Sequence, residues 1–268
     1  MKLILNRKDL TNLSWTKLRE SSGTTGSYLK SYSYSNGKKV YYKLSFFDDI
    51  NGVFGYESIN EIIASRLMYY LDVPHLDYDL IHALIKIDNK SYDTYLLSSL
   101  DFKGANESKI TMENFYELNK KENESKIEFL SRYDLLNDIY KMFVVDHLIV
   151  NRDRHGANIE VLFNSKTKKY RLAPLFDQGL SLLSPFYKKE DILNFNTDEE
   201  RRVNYYFGSS DLVNNLRLVP KELFPNEIID FEYLFQDLDS FVDNDYLDKC
   251  RKLIEKRWII LEDIRNKK

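Results

Sequence analysis

The sequence predicts an α+β chain of two lobes, a small strand-rich N-lobe over residues 1–101 and a larger, mainly helical C-lobe over residues 102–268. Three observations predict it. The first third alternates apolar and polar residues between turn signals, the second half carries apolar residues at helical period, and no internal repeat or low-complexity linker interrupts the chain. With 268 residues, 43% of them hydrophobic, there is enough apolar surface to bury a sizeable core.

In the N-lobe, Leu13 to Arg19 and Ser27 to Ser35 flank a run of small residues, Ser21-Ser22-Gly23-Thr24-Thr25-Gly26, which reads as a tight loop between strands. Asn36-Gly37 is a strong hairpin signal, because a two-residue type I′ turn needs positive φ at both positions. Val40, Tyr42, Leu44 and Phe46 then alternate with Tyr41, Lys43 and Ser45, placing Lys43 on the less apolar face. Glu57 to Leu71 reads as a helix with Ile59, Ile62, Ile63, Leu67 and Tyr70 inward and Pro74 shortly after its end. Strands follow over Tyr78 to Ile87 and Tyr92 to Ser98, joined at Asp88-Asn89, and the lobe boundary falls near Ser99 to Gly104.

Beyond Thr111 the character changes. Lys126 to Val150 carries apolar residues at helical period without glycine or proline and predicts a long helix. A short hairpin interrupts the helical half, Asn158 to Phe163 and Tyr170 to Leu175 around the turn Asn164-Ser165-Lys166. Asp211 to Val219, Asn226 to Val242 and Tyr246 to Arg265 read as further helices.

Composition excludes several classes of function. Thirty-nine basic against 42 acidic residues leave a formal charge of −3, so no positive excess recruits phosphate backbones and nucleic acid is not an expected partner. The single cysteine, Cys250, excludes an internal disulfide; with Leu247, Ile254, Trp258 and Leu261 at helical spacing around it, it reads as packed core. The first seven residues, Met1 to Arg7, hold too short an apolar run for a signal peptide, and nowhere do 18 apolar residues follow one another. A soluble, cytoplasmic protein with no membrane partner is the expectation.

The segment richest in chemistry is Asn151-Arg152-Asp153-Arg154-His155-Gly156-Ala157-Asn158, between the long helix and a short strand. Phosphoryl transfer needs a carboxylate to orient the attacking hydroxyl and accept its proton, and a nearby amide oxygen to hold Mg²⁺ on the phosphates. Asp153 and Asn158 have the Asp-x₄-Asn spacing that serves those roles in protein kinases. Taken alone the spacing is weak, since Asp and Asn crowd into loops for turn chemistry. A second carboxylate strengthens it: Asp177, in Leu172-Ala173-Pro174-Leu175-Phe176-Asp177-Gln178-Gly179, follows the hairpin and can return metal-ligand charge to the same cleft. The competing reading makes Asp177 a turn residue ahead of Gly179.

These two segments together resemble the HipA-like bacterial serine/threonine kinases, and the Asp153-Arg154-His155-x-x-Asn158 string also resembles the catalytic loop of phosphatidylinositol kinases. The resemblance implies a protein-kinase-like fold that uses ATP and Mg²⁺. By it, Asp153 is the catalytic aspartate, Asn158 and Asp177 bind the metal, and His155 lies near the transferred phosphate, while Arg154 reads as structural. Lys43 matches the strand lysine that pairs with the nucleotide phosphates, with Lys30 and Lys39 as rivals. Glu61 of Asn60-Glu61 is the expected partner of Lys43, with Glu57 one turn earlier as competitor. Ser22, Gly23, Thr24, Thr25 and Gly26 form the phosphate loop, and Ser98-Ser99-Leu100 the hinge that meets adenine. Ser21 and Ser22 are the candidate autophosphorylation sites.

There are departures from the family pattern. The phosphate loop lacks a Gly-x-Gly-x-x-Gly string, and Gln178 stands where the family usually shows asparagine. HipA toxins carry an N-terminal subdomain ahead of the kinase lobe, whereas about twenty residues precede Ser21 here, so its contacts are expected to be absent or supplied by another protein. The resulting expectation is a HipA-like Ser/Thr protein kinase acting on a protein substrate, with an antitoxin or a subdomain-like protein as partner. A lipid or small-molecule kinase, and a nucleotide-binding pseudokinase, are the alternatives.

Overall fold

The computed structural model describes residues 1–18, 25–226 and 229–268. The first hundred positions hold β1 (Leu3–Leu10), β2 (Thr16–Leu18), β3 (Thr25–Ser35), β4 (Lys38–Lys43), β5 (Phe46–Asp48), β6 (Gly52–Phe54), α1 (Glu57–Tyr70), β7 (Asp79–Ile87) and β8 (Lys90–Leu100). Six of these strands form one sheet in the order β1-β7-β8-β4-β3-β2. The β3–β4 turn has φ of 51° at Asn36 and 74° at Gly37, as its Asn-Gly pair requires. β1 was not anticipated: it lies at the sheet edge, parallel to β7, with Arg7, Lys8 and Asp9 exposed, so it carries charge where a buried strand would alternate. Thr25 and Gly26, expected in the small-residue loop, belong to β3; Ser21, Ser22, Gly23 and Thr24 lie outside the described residues.

The rest of the chain holds β9 (Glu107–Thr111), α2 (Met112–Asn119), α3 (Lys126–Arg132), α4 (Leu136–Ile149), β10 (Asp153–Arg154), β11 (Glu160–Asn164), β12 (Tyr170–Leu172), α5 (Lys189–Asn194), β13 (Asn204–Tyr205), α6 (Leu212–Leu218), α7 (Phe231–Phe235) and α8 (Asn244–Asn266). The predicted hairpin is β11–β12, and β9 adds a third strand on the other edge of β11. Two predicted helices need correction. Lys126 to Val150 is split into α3 and α4 at Asp134, whose φ of 57° reverses the backbone; aspartate tolerates that left-handed geometry, and apolar period cannot register it. Over Asn226 to Val242 the described helix is confined to α7, with Asp237 at φ 60° beyond it; Leu234, Phe235, Leu238 and Val242 are buried, so tertiary packing rather than one continuous helix explains their spacing.

The main hydrophobic core joins Ile62, Ile63 and Leu67 of α1 to Phe143 and Leu148 of α4 and Ile254 of α8. Cys250 is fully buried in it, as expected, and burial raises its thiol above the ordinary range. α1 thus packs into the helical core although it lies between strands in sequence. A smaller cluster, including Leu44, Ile81, Ile85 and Leu96, forms a separate apolar layer of the strand-rich part.

Candidate active site

The loop that carries Asp153 is held by α4. That helix ends at Val150 with φ 51°, a strained geometry for a β-branched residue, and the next residue returns to the helix: Asn151 donates from Nδ2 to Asp146 Oδ1 at 2.9 Å. Asp146 is the hub. Arg154 binds it through Nε to Oδ2 at 3.0 Å and Nη2 to Oδ1 at 2.9 Å, and the Tyr205 hydroxyl donates to Oδ2 at 2.5 Å. Arg154 and Asp146 are both fully buried, so the fork-to-carboxylate geometry has to compensate two desolvated charges. Burial alone would lower the Arg154 guanidinium, but the Asp146 carboxylate overrides it and raises it. Arg154 also donates to the Phe176 carbonyl at 3.1 Å and thereby ties this loop to the residue before Asp177.

Asp153 sits on β10, which pairs in parallel with β13, opposite Asn204. Asn204 Nδ2 approaches its Oδ1 at 3.3 Å, and its own amide nitrogen donates to Asn151 Oδ1 at 3.2 Å. Asn158 closes the loop by donating from Nδ2 to the Asp153 carbonyl at 2.8 Å, which orients its amide. His155 is half-buried, with Nε2 3.6 Å from Asp153 Oδ2. Gly156 is required by close approach, since a Cβ there would stand 2.8 Å from Glu113 Cβ and 2.9 Å from the Tyr206 ring.

Across the cleft, Lys43 at the end of β4 donates from Nζ to Glu61 Oε1 at 2.6 Å and to Asp177 Oδ1 at 2.5 Å. Burial opposes its charge, and the two carboxylates more than offset that, holding the ammonium above its ordinary range. Of the rival lysines, Lys30 pairs with Lys43 in the sheet register and lines the cleft, while Lys39 lies over the Tyr32 and Tyr41 rings at 4.0 and 4.7 Å. Glu57, the competitor for Glu61, is buried beside the cluster and takes a different partner, the Ser184 hydroxyl at 3.3 Å. Burial pushes its carboxyl up to about 7, and Oε2 has no hydrogen-bond partner. Asp177 has φ 65°, and the segment after it is pinned by Asn60, whose Nδ2 donates to the Gly179 and Ser181 carbonyls at 3.0 Å each. Tyr246 of α8 in turn donates to Asn60 Oδ1 at 2.6 Å.

Tyr28 of β3 sits where these groups converge. Its ring lies 4.6 Å from Lys43 Nζ, and burial followed by the charges of Glu57, Asp177, Glu61 and Asp153 raises its hydroxyl. The adjoining cleft is lined by Lys43, Ser99, Leu100, Phe102, Phe176 and Asp177, among others. Of the predicted hinge, Ser99 and Leu100 face this cleft, but Ser98 does not. All three are paired with β4 in the sheet, Ser98 with Tyr42, Ser99 with Tyr41 and Leu100 with Val40, and Ser98 is paired with Asp79 of β7 as well, because β8 continues to Leu100. Reasoning from sequence missed Asp146, Tyr205, Asn204 and Tyr28. Asp146 alone left a legible signal, a carboxylate inside the apolar run Phe143 to Val150.

Among the described residues no group of three or more His, Cys, Asp or Glu side chains is placed to hold a metal by itself. Asn158 and Asp177 carry an amide oxygen and a carboxylate, oxygen donors of the type that Mg²⁺ takes alongside phosphates and waters.

No protein-family model matches the sequence, and no curated protein is similar to it at the level of sequence. Solved structures are similar in fold. A proinflammatory kinase of Helicobacter pylori, CtkA, superposes with a TM-score of 0.57 at 18% identity, over 97% of this chain and 96% of that one. HipA of Shewanella oneidensis MR-1, from its toxin–antitoxin complex with HipB and operator DNA, superposes with a TM-score of 0.50 at 14% identity, over 94% of this chain and 67% of that one. The chain is therefore built on the fold of the HipA-like kinases, a strand-rich lobe followed by a larger helical one.

Proposed function

We propose that the protein is an ATP- and Mg²⁺-dependent serine/threonine kinase that transfers the γ-phosphate to a protein hydroxyl. The observation that carries this reading is Lys43, held between Glu61 and Asp177 in the cleft that adjoins the Asp153–Asn158 loop. A lysine so placed can turn toward nucleotide phosphates, while Glu61 keeps it aligned. Asp153, fixed by Asn204 and Asn151, orients the acceptor hydroxyl and receives its proton. Asn158 and Asp177 would hold Mg²⁺, which would supply charge compensation for the phosphates.

The substrate class and regulation extend the reading by analogy. The Shewanella HipA was solved with HipB, and we infer a comparable antitoxin or a protein supplying subdomain-like contacts as partner for this chain. Ser21 and Ser22 are proposed as autophosphorylation sites that weaken ATP binding by adding about −1.5 to −2 charge beside the phosphates.

The test is transfer of labelled phosphate from ATP into a host-cell lysate, run in parallel with the Asp153→Asn protein, followed by identification of the labelled species. Label in protein that depends on Asp153 supports the reading. Label confined to lipid or small molecules sinks the protein-substrate assignment, and nucleotide binding without any transfer identifies a pseudokinase. Intact-mass analysis of the same incubation tests Ser21 and Ser22.

A further inference from the structure

Glu160 is a carboxylate the phosphoryl-transfer reading does not use. It begins β11, two positions after Asn158, lines the cleft and is only 4% exposed. Its Oε2 accepts no hydrogen bond. The nearest cation is Lys109 of β9, whose Nζ stands 3.8 Å away, beyond hydrogen-bond reach. Burying a carboxylate oxygen in this state is costly, because an ion pair at that separation leaves the lone pairs of Oε2 unsatisfied.

Its neighbours in the cleft indicate what would satisfy it. Lys109 Nζ lies 5.7 Å from the Phe102 ring, Phe102 follows Leu100 by two residues, and its ring stacks on that of Phe176 at 6.0 Å and 21°. Ser99 and Leu100 line the same cleft, as do Lys43 and Asp177, beside which the phosphates would sit. Flat apolar rings flanked by an acceptor and a donor suit a nucleobase whose edge presents a donor beside an acceptor. Adenine does so, with its 6-amino group next to a ring nitrogen.

We propose that Glu160 and Lys109 read the base of the bound nucleotide, Glu160 accepting from the 6-amino group of adenine and Lys109 donating to the adjacent ring nitrogen. This rests on the nucleotide reading above and adds a specificity-determining pair to it. The 6-amino group then completes the hydrogen bonding that Glu160 lacks in the free protein.

The experiment compares binding of ATP with purine riboside 5′-triphosphate, which lacks only the 6-amino group, by calorimetry in the presence of Mg²⁺. The unaltered protein is expected to prefer ATP by about 10- to 100-fold, the usual worth of a hydrogen bond to a charged group. In Glu160→Ala the preference should fall to within about threefold, with the thermal unfolding curve checked for a folded variant. Equal binding of the two nucleotides by the unaltered protein overturns the proposal without any variant being needed. A preference that survives intact in folded Glu160→Ala also overturns it, placing recognition of the amino group elsewhere. GTP bound more tightly than ATP, in a way that Glu160→Ala abolishes, overturns the choice of adenine. Failure of every nucleotide to bind instead removes the kinase reading on which the proposal stands.

Discussion

Lys43 and Asp177, 134 positions apart in sequence, meet at 2.5 Å in the cleft, with Glu61 on the same ammonium at 2.6 Å. A single cation therefore couples the sheet, α1 and the segment after the β11–β12 hairpin. Lys43→Met should suppress phosphate transfer by about 10²-fold in the protein that remains folded, since the group aligned for the phosphates is lost. Initial rates with labelled ATP check this. Indifference to the change would move the role to Lys30 or Lys39.

Asp153, fixed by Asn204 and Asn151, is assigned to the acceptor hydroxyl, so it should matter to the transition state and little to the nucleotide complex. Asp153→Asn is expected to retain ATP affinity while kcat falls by about 10²- to 10⁴-fold. Near-normal turnover in this variant would refute the assignment.

Asp177 is expected to act through the metal. Asp177→Asn removes a charged oxygen ligand and should weaken binding of Mg·ATP far more than binding of ATP in the presence of a chelator. Calorimetric titration under both conditions measures the difference, and equal losses with and without Mg²⁺ would assign Asp177 to the positioning of Lys43 alone.

The Asp146–Arg154 pair is a stability prediction. Arg154→Met leaves Asp146 buried with its charge compensation gone, at a cost of about 3–5 kcal/mol, or a fall in Tm of about 6–20 °C. Differential scanning calorimetry reads it directly. A loss below about 1 kcal/mol would mean that Asn151 and Tyr205 alone suffice to hold Asp146.

Glu57 predicts a pH dependence. Its carboxyl is raised from 4.5 to about 7 by burial, so between those values the folded state binds more protons than the unfolded one, and this group's contribution to stability falls as pH rises through that window. Glu57→Gln should thus raise Tm relative to the parent at pH 8, by an amount equivalent to about 3 kcal/mol at most, and change it little at pH 5. A variant equally destabilised at both pH values would show that hydrogen bonding by the carboxylate outweighs the penalty of burying its charge.

Legibility in the sequence followed the range of the interaction. The Asn36-Gly37 turn, the span of α1 and the period of α8 depend on neighbours within a few residues and could be read directly. The break at Asp134 and the short extent of α7 could not, because apolar period reports which residues face a core and not whether the backbone between them stays helical. The strand expected to end at Ser98 runs on to Leu100 for a related reason: strand propensity carries no mark of where pairing with a neighbour ends.

By itself the sequence marked Asp153, Asn158 and Asp177 by residue type and order along the chain, and the resemblance to HipA-like kinases added Lys43 and Glu61, each with rivals left open. Only the tertiary structure decided which lysine and which glutamate meet, that Asn60 and Tyr246 pin the Asp177 segment, and that Asp146 anchors the loop through Arg154. The physical reason is that a buried charge is tolerated only when partners converge on it, and here those partners come from elements distant in sequence, brought together by the common core of α1, α4 and α8.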